Sequence, residues 1–571
     1  MLTPDPAINL QENTFNRYLG RLMVQQLIDR ETNQAAFPKL SENDLTELRQ
    51  FGEFQTFSDG ETLIEAGEKE FDFYIVKSGK LRVVDTSSGQ EKTVTTLGER
   101  EFVGDLANLK GSPANTTVVA IGESQVIAIA FDKLREILNK NSHLSDLILQ
   151  TFIARREALE KSDVVGLRVI GPKGCSDTFR IRDFLAKNHV KFNWIDTESD
   201  AEVDEILQQF EIGHGDTPVI VYGSEWICKN PTNEKLAEEL GLKKPIENKL
   251  YDLAVIGAGP AGLAAAVYGS SEGLDTIILE KEALGGQAGC SSKIENYTGF
   301  PLGLSGRELA CRANIQAQKF GSQFCLTSEV RDLEPTDEGY LLKLNNDEQV
   351  RTQSVLIATG VSYRKLPVEG IEDYEGTGVY YSATKVEAQL CKGSTVIIIG
   401  GGNSAGQAAV FLSQFVEQVL ILIRQDNLAQ KMSSYLLERV KKIENVEVMT
   451  HTEVTGVKGD SVLTHAEITN NQTGQKREIE VCGIFIFIGA KAHTDWLPEQ
   501  IETDEKGFIK AGLDVKDSPH WKVDRQPFFL ETSCRGIFTA GDVRSDSIKR
   551  VASAVGEGSM AVKFVHKVLK E

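Results

Sequence analysis

The sequence predicts a multidomain chain: an N-terminal β-roll with flanking helices, a small middle α/β unit, and a large C-terminal α/β region with two dinucleotide-binding folds. Three observations carry this. Residues 38–135 hold short β-type runs broken by glycine, FDFYIVKSGKLRVV, EKTVTTLG and TTVVAIGESQVIAIA, the spacing of a roll or barrel. Residues 165–240 alternate strand and helix in short steps. Residues 250–571 repeat that alternation around two glycine-rich turns about 140 residues apart. A length of 571 residues at about 150 residues per domain agrees with three to five domains.

Taken in order, helices are expected at 13–30 and 131–160 beside the roll, with a junction at Lys161, Ser162 and Asp163. That gives a first domain over 1–160. LRVIG reads as a strand and FRIRDFLAKN as a helix with apolar residues at helical spacing. KFNWID, AEVDEILQQF, TPVIVYG and NEKLAEELGL continue as strand, helix, strand and helix, giving a unit over 165–242. KKPIENK, residues 243–249, is a polar linker.

Composition excludes several classes. Hydrophobic residues are 41% and charged residues 25%, the balance of a soluble globular protein. Lys plus Arg is 62 and Asp plus Glu is 83, so 62 − 83 gives −21. So acidic a chain repels phosphate backbones, which argues against nucleic acid as a partner. The first twenty residues lack the basic start and apolar run of a secretory signal, and no run nears the roughly 18 apolar residues of a membrane span. The cysteines at 175, 228, 290, 311, 325, 391, 482 and 534 are scattered, with no C-x-x-C pair. This speaks against a metal ribbon or disulfide scaffold and for a reducing cytoplasm.

The first turn lies in YDLAVIGAGPAGLAAAVYGSSEGLDTIILEKE. A strand, 253–256, enters Gly257-Ala258-Gly259-Pro260-Ala261-Gly262 and then a helix. Gly257 permits the tight turn, Gly259 lets a pyrophosphate approach the backbone, and Gly262 lets helix and strand pack closely. The next strand, 276–279, ends at Glu280, where a carboxylate can hold a ribose hydroxyl. The second turn, Gly400-Gly401-Gly402-Asn403-Ser404-Ala405, has the G-x-G-x-x-A form. Its following strand, 419–423, ends at Arg424 instead of an acid. A cation there suits a 2′-phosphate, which favours NADPH over NADH.

These turns, with GGQ (285–287), IENYTGFP (294–301), LIATG (356–360) and FTAGDVRSDSIKRVASAVGEG (538–558), resemble the low-molecular-weight thioredoxin reductases over 250–571. The resemblance implies a Rossmann-type flavoprotein with FAD domain parts at 250–365 and 491–571 and an inserted nicotinamide domain at 366–490. It places FAD against Gly257, Gly259, Pro260, Ala261, Gly262, Glu280, Gly286, Gln287, Asn296, Ala358, Gly541, Asp542 and Val551. Asp542 would bond the ribityl chain. It places NAD(P)H against Gly400, Gly402, Asn403, Ser404, Ala405 and Arg424. It also implies a homodimer, rotation of the nicotinamide domain, and nicotinamide C4 stacked on flavin N5.

The sequence departs from that family where chemistry matters. The family's C-A-T-C dithiol falls on Ser382-Ala383-Thr384-Lys385. A serine hydroxyl cannot replace a thiolate in disulfide exchange. Lys385 then sits where the dithiol would face the flavin, either stabilising reduced flavin or simply solvated. Cys391, with no neighbouring cysteine in sequence, reads as a structural thiol. The family's H-R-R-x-x-x-R clamp keeps only Arg424; Gln425 and Ala429 hold the other places, Lys431 is a substitute, and NADH stays open.

Residues 165–240 resemble glutaredoxin in outline. Its C-P-Y-C becomes Cys175-Ser176-Asp177-Thr178, and Asp216-Thr217-Pro218-Val219 matches its cis-proline loop. At a helix N-terminus, Cys175 would have a lowered pKa and act as a monothiol nucleophile; the alternative is an adaptor with an inert thiol. Residues 37–84 resemble a cyclic-nucleotide-binding domain, with Gly60, Gly67 and Gly79 at its turns. In its phosphate cassette Gly104 and Asp105 hold the ribose positions, but Ala114 replaces the arginine. Losing that charged bond costs about 1.5–3 kcal/mol. The ligand would be a cyclic nucleotide or another small molecule, or the domain docks and regulates without one. No helix-turn-helix follows.

The expected function is an FAD-dependent NAD(P)H oxidoreductase whose electrons leave for an acceptor other than the usual dithiol: Cys175, a quinone, an iron–sulfur protein or oxygen. Two alternatives stand beside it. One is a redox or ligand sensor with little turnover. The other is a thioredoxin-disulfide reductase using displaced thiols such as Cys175.

Overall fold

The computed structural model describes residues 28, 30, 32–85, 91–161, 167–199, 203, 207–208, 212–222, 226–291, 293–430 and 432–571. The expected helix at 13–30 (but for its last residues), the junction residues Ser162 and Asp163, most of AEVDEILQQF and Lys431 lie outside them. The chain divides into two compact units, residues 1–168 with 191–193 and 221–227, and residues 169–190, 194–220 and 228–571.

The first unit is built on the expected roll. Strands Gly52–Phe57, Thr117–Ile129, Phe73–Asp85 and Lys92–Leu97 lie in that order, with Thr62–Ile64 and Phe102–Val103 attached. All pairs are antiparallel. Val76, Leu81, Val126 and Leu97 alternate inward and are almost wholly buried, the period-two pattern of a one-sided sheet. Gly79 turns with φ 85°, where a Cβ would stand 2.4 Å from Ser124 Oγ, so only glycine fits.

The helix expected over 131–160 is two helices, Phe131–Lys140 and Ser142–Lys161. Asn141 breaks it. Its backbone is extended, and its side-chain oxygen accepts the Leu144 amide at 2.9 Å, the competition that makes asparagine a helix start. Arg155 on the second helix is buried, and its guanidinium donates to Ala36 O, Phe102 O and Gly104 O at 2.8, 2.8 and 2.5 Å. Burial lowers its pKa to about 10.

In sequence, the segment after the roll forms a four-stranded sheet in the order Trp226–Lys229, Val219–Tyr222, Leu167–Ile170, Asn193–Ile195. It carries helices Ser176–Lys187 and Asn233–Glu239. Trp226–Lys229 is a strand the sequence pattern did not suggest; only Ile227 and its neighbours mark it. Thr217–Pro218 is a cis peptide.

In the second unit a seven-stranded sheet runs Gln323–Leu326, Thr276–Glu280, Leu250–Ile256, Gln349–Ile357, Gly339–Leu344, Val330–Thr336, with Ile537–Thr539 beside Gln349–Ile357. Its central pairs are parallel, and apolar clusters cover both faces, which explains the unbroken apolar runs. Helices Pro260–Ser271 and Val551–Val568 pack together on one face. The chain leaves through Val361–Tyr363 and returns through Ala490–Ala492, which pair antiparallel. Between them stands a parallel sheet in the order Val379–Tyr380, Gly483–Ile486, Thr395–Ile399, Gln418–Leu422, Val446–Met449, with a three-stranded meander over 452–480. Among the described residues no helix is long and apolar enough to cross a membrane.

Candidate functional site

Three backbone features build the first turn. Gly257 has φ 103°, and a Cβ there would lie 2.5 Å from Ala358 O. A Cβ on Gly262 would lie 1.9 Å from Gly257 O. Gly259, the N-cap of Pro260–Ser271, meets nothing within 4 Å. The turn is thus closed toward the protein and open over the helix N-terminus, where unpaired amides and the helix dipole favour an anion. Gly286 faces this opening, its Cβ position 3.1 Å from Gly259 Cα.

Glu280 ends its strand as predicted and is buried. One oxygen accepts the Ala258 amide at 2.7 Å; the other accepts Glu282 and Ala283 at 2.8 and 3.3 Å. Burial raises its pKa, and the three amides oppose that rise. Lone-pair capacity remains for a hydroxyl donor. Ala358 is buried and donates its amide to Ile256 O at 2.8 Å. Gln287 donates to Val361 O. The Gly541 amide donates to Glu557 at 2.7 Å, and Asp542 beside it has its pKa raised by burial. Val551 opens the last helix, while Asn296 sits exposed in its loop. The arrangement fits a dinucleotide stretched from the Gly257–Gly262 turn toward Asp542.

The second turn repeats the geometry. Gly400 has φ 134°, and its Cβ position lies 2.3 Å from Phe487 O. Gly402 caps Asn403–Leu412 and is open, and Ala405 is fully buried. Asn403 Oδ1 accepts the Ser433 amide at 2.8 Å; Ser404 follows on the first helical turn, exposed. Arg424 is exposed at its strand end, able to reach a phosphate.

Between the two turns lies 382–385. Ser382 Oγ donates to Glu387 at 3.1 Å, and Glu387 also accepts the Thr384 amide at 2.7 Å. Thr384 caps Lys385–Leu390 in a reciprocal box with Glu387, and Lys385 is exposed. Glu387 is buried; burial raises its pKa, and the charge of Asp183 adds to that. The sequence offered one signal for this residue, T-x-x-E before an apolar run. Cys391 caps the same helix and is buried. The fold also brings Cys482 to it, a neighbour invisible in sequence. Cys175 caps Ser176–Lys187 without a side-chain capping bond.

In the roll, Asp105 spends its carboxylate on a helix start, accepting the Ala107 amide at 2.7 Å. Gly104 has φ 148° and Ala114 is buried. The cavity they share with Arg155 measures about 70 Å³ and is lined mainly by Ile64, Phe71, Val103 and Val118. Tyr222 donates to Ala114 O at 3.0 Å. No carboxylate–histidine–cysteine cluster able to hold a metal occurs among the described residues.

Comparison with known proteins agrees with this geometry. The family described as pyridine nucleotide-disulphide oxidoreductase matches residues 251–558, and the cyclic nucleotide-binding domain matches residues 54–141. A 34.2 kDa protein in a rubredoxin operon of Clostridium pasteurianum is 31% identical, covering 57% of this chain and 98% of that one. Thioredoxin reductase of Bacillus subtilis is 31% identical over 57% of this chain and 96% of its own. The structure of Lactococcus lactis thioredoxin reductase superposes with TM-score 0.50 at 30% identity, covering 56% of this chain and 100% of that one.

Proposed function

The chain belongs to the pyridine nucleotide-disulphide oxidoreductase family, and we propose that it is an FAD-dependent oxidoreductase drawing on NADPH and serving an acceptor other than an active-site dithiol. One observation carries the second half. Ser382 and Lys385 stand where the resemblance to the thioredoxin reductases places the dithiol, and the bond from Ser382 to a buried carboxyl supports this reading.

On this reading Gly257, Gly259, Pro260, Ala261, Gly262 and Gly286 cradle the FAD pyrophosphate. Glu280 takes a ribose hydroxyl. Gln287, Asn296, Ala358, Gly541, Asp542 and Val551 line the rest. Gly400, Gly402, Asn403, Ser404, Ala405 and Arg424 hold the nicotinamide nucleotide. Bound FAD supplies two-electron acceptance and one- or two-electron release; the protein supplies position and electrostatics. Lys385 offers a positive charge beside the reduced ring. The roll regulates, the middle unit is a glutaredoxin-like adaptor, and the protein works as a cytoplasmic homodimer.

An anaerobic NADPH titration of the purified protein tests this. Flavin bleaching should be complete at about one hydride per FAD, because the flavin is then the redox centre that NADPH reaches. A requirement for about two reveals an internal disulfide in line with the flavin and overturns the reading. Bleaching by NADH alone overturns the role of Arg424.

A second test concerns the two halves of the flavoprotein region. Arg439 of the inserted domain pairs with both oxygens of Glu295 at 3.0 and 3.2 Å. That bond holds the Glu295 pKa below its ordinary value. A depressed carboxyl stabilises above its unfolded pKa, and the contribution is lost as pH falls through the folded one. As a partly exposed pair it is worth at most about 1 kcal/mol, roughly fivefold in a domain equilibrium. Flavin-reduction rates of Glu295→Gln should therefore differ from wild type by up to about fivefold at pH 7 and converge as the pH falls through the lowered carboxylate pKa. A difference that grows in acid refutes the latch.

A further inference from the structure

Cys391 and Cys482 lie far apart in the inserted domain's sequence and meet where strands Gly483–Ile486 and Thr395–Ile399 begin. The Cys391 amide donates to Glu387 O at 3.0 Å, which fixes it at the end of Lys385–Leu390. The Cys482 amide donates to Thr395 O at 3.0 Å, and its thiol donates to the carbonyl of Leu390, the residue before Cys391, at 3.4 Å. A Cβ on Gly483 would stand 3.1 Å from Cys391 Sγ. The Cys482 thiol thus reaches the backbone beside Cys391, while the residue after it lies against the Cys391 sulfur, which makes the two thiols neighbours. Cys391 is buried and Cys482 partly exposed.

Their surroundings divide the roles. As neighbours the two thiols titrate together, the Cys391 pKa pushed well up and the Cys482 pKa drawn down. The positive charge of Lys173 acts on both, favouring thiolate. Glu387, when ionised, opposes this at Cys391. Tyr380 packs beside the pair, itself held protonated by burial. Cys482 is the sulfur a dissolved disulfide can reach, and Cys391 lies buried behind it, the division found in attacking and resolving thiols.

We propose that Cys391 and Cys482 are a redox-active dithiol that exchanges with low-molecular-weight disulfides, Cys482 attacking and Cys391 resolving. In the first step the Cys482 thiolate attacks RS–SR, forming Cys482–S–SR and releasing RS⁻, which takes a proton from water. In the second, Cys391 attacks Cys482 Sγ, the Cys482–SR bond breaks, and the Cys391 proton leaves with RS⁻ as RSH. Two thiols lose two electrons and one disulfide becomes two thiols. The small disulfide is the oxidant, so the step stands apart from flavin reduction.

The test equilibrates the full-length protein with mixtures of glutathione and glutathione disulfide. Free thiols are then blocked with N-ethylmaleimide and cysteine peptides are mapped by mass. A linked Cys391–Cys482 peptide pair should grow with the disulfide fraction. Cys391→Ser should stop at glutathionyl-Cys482, Cys482→Ser should leave Cys391 free, and Lys173→Gln should slow the first step. Recovery of both wild-type cysteines as maleimide adducts at every ratio overturns the proposal, as does a Cys482–Cys175 link in place of the Cys391 one. The wild-type map decides even where a variant fails to fold.

Discussion

Gly262→Ala protein should purify without flavin and melt well below wild type, whereas Gly259→Ala protein should keep its melting temperature in the flavin-free form and lose flavin alone. The difference comes from what each new methyl meets. At Gly262 it would stand 1.9 Å from Gly257 O and 3.0 Å from Gly257 C. Those are backbone atoms of a turn already fixed by φ 103° at Gly257. Relief requires Pro260–Ser271 to lift off Leu250–Ile256, an overpacking cost of about 3 kcal/mol. At Gly259 the methyl meets no atom within 4 Å, and the backbone is extended with φ −70°. Folding therefore tolerates it, and the only thing it displaces is the phosphate that belongs over the helix N-terminus. Flavin absorbance per chain after gel filtration, with melting of the stripped protein, checks both. Full flavin retention by Gly259→Ala would move the pyrophosphate off this turn.

That turn was legible in sequence because its physics is local. Gly257, Gly262 and Glu280 answer to steric and hydrogen-bond demands set within one strand–turn–helix–strand unit. The same holds for Gly79 in the roll. Asn141 was legible in principle, since an asparagine followed by serine is a helix start; apolar spacing on both sides hid it. Contacts made by topology were not legible. Cys391 looks solitary until Gly483–Ile486 pairs with Thr395–Ile399 and carries Cys482 to it. Arg155 looks like a surface charge until its helix folds back on the roll and spends its donors on three carbonyls. Asp105 keeps the expected place in the cassette, yet its carboxylate is committed to a cap. Ala114 stands at the arginine position, and the cavity it shares with Asp105 measures about 70 Å³ and is lined mainly by apolar side chains.

Glu387→Ala should cost about 3 kcal/mol, and Glu387→Gln about 1 kcal/mol. Alanine removes the acceptor for Ser382 Oγ and for the Thr384 amide, undoes the capping box, and leaves a buried void. Glutamine keeps the shape. Its carbonyl accepts the Thr384 amide, and its amino group donates to Ser382, whose hydroxyl can accept as well as donate. The pH dependence separates the charge from the shape. Burial raises the Glu387 pKa, so the folded state holds the proton more tightly than the unfolded state. That stability is fully present below the unfolded pKa and is lost as pH rises through the folded one. The advantage of wild type over Glu387→Gln should therefore shrink between pH 5 and pH 8 in paired melting curves. An advantage that widens with pH would show a carboxylate stabilised by partners instead of a buried acid. Turnover of Glu387→Gln should stay near wild type, because the carboxyl holds the 382–385 loop by geometry. Ser382 bonded to Glu387 and the Thr384 capping box together tie residues 382–385 to the start of Lys385–Leu390.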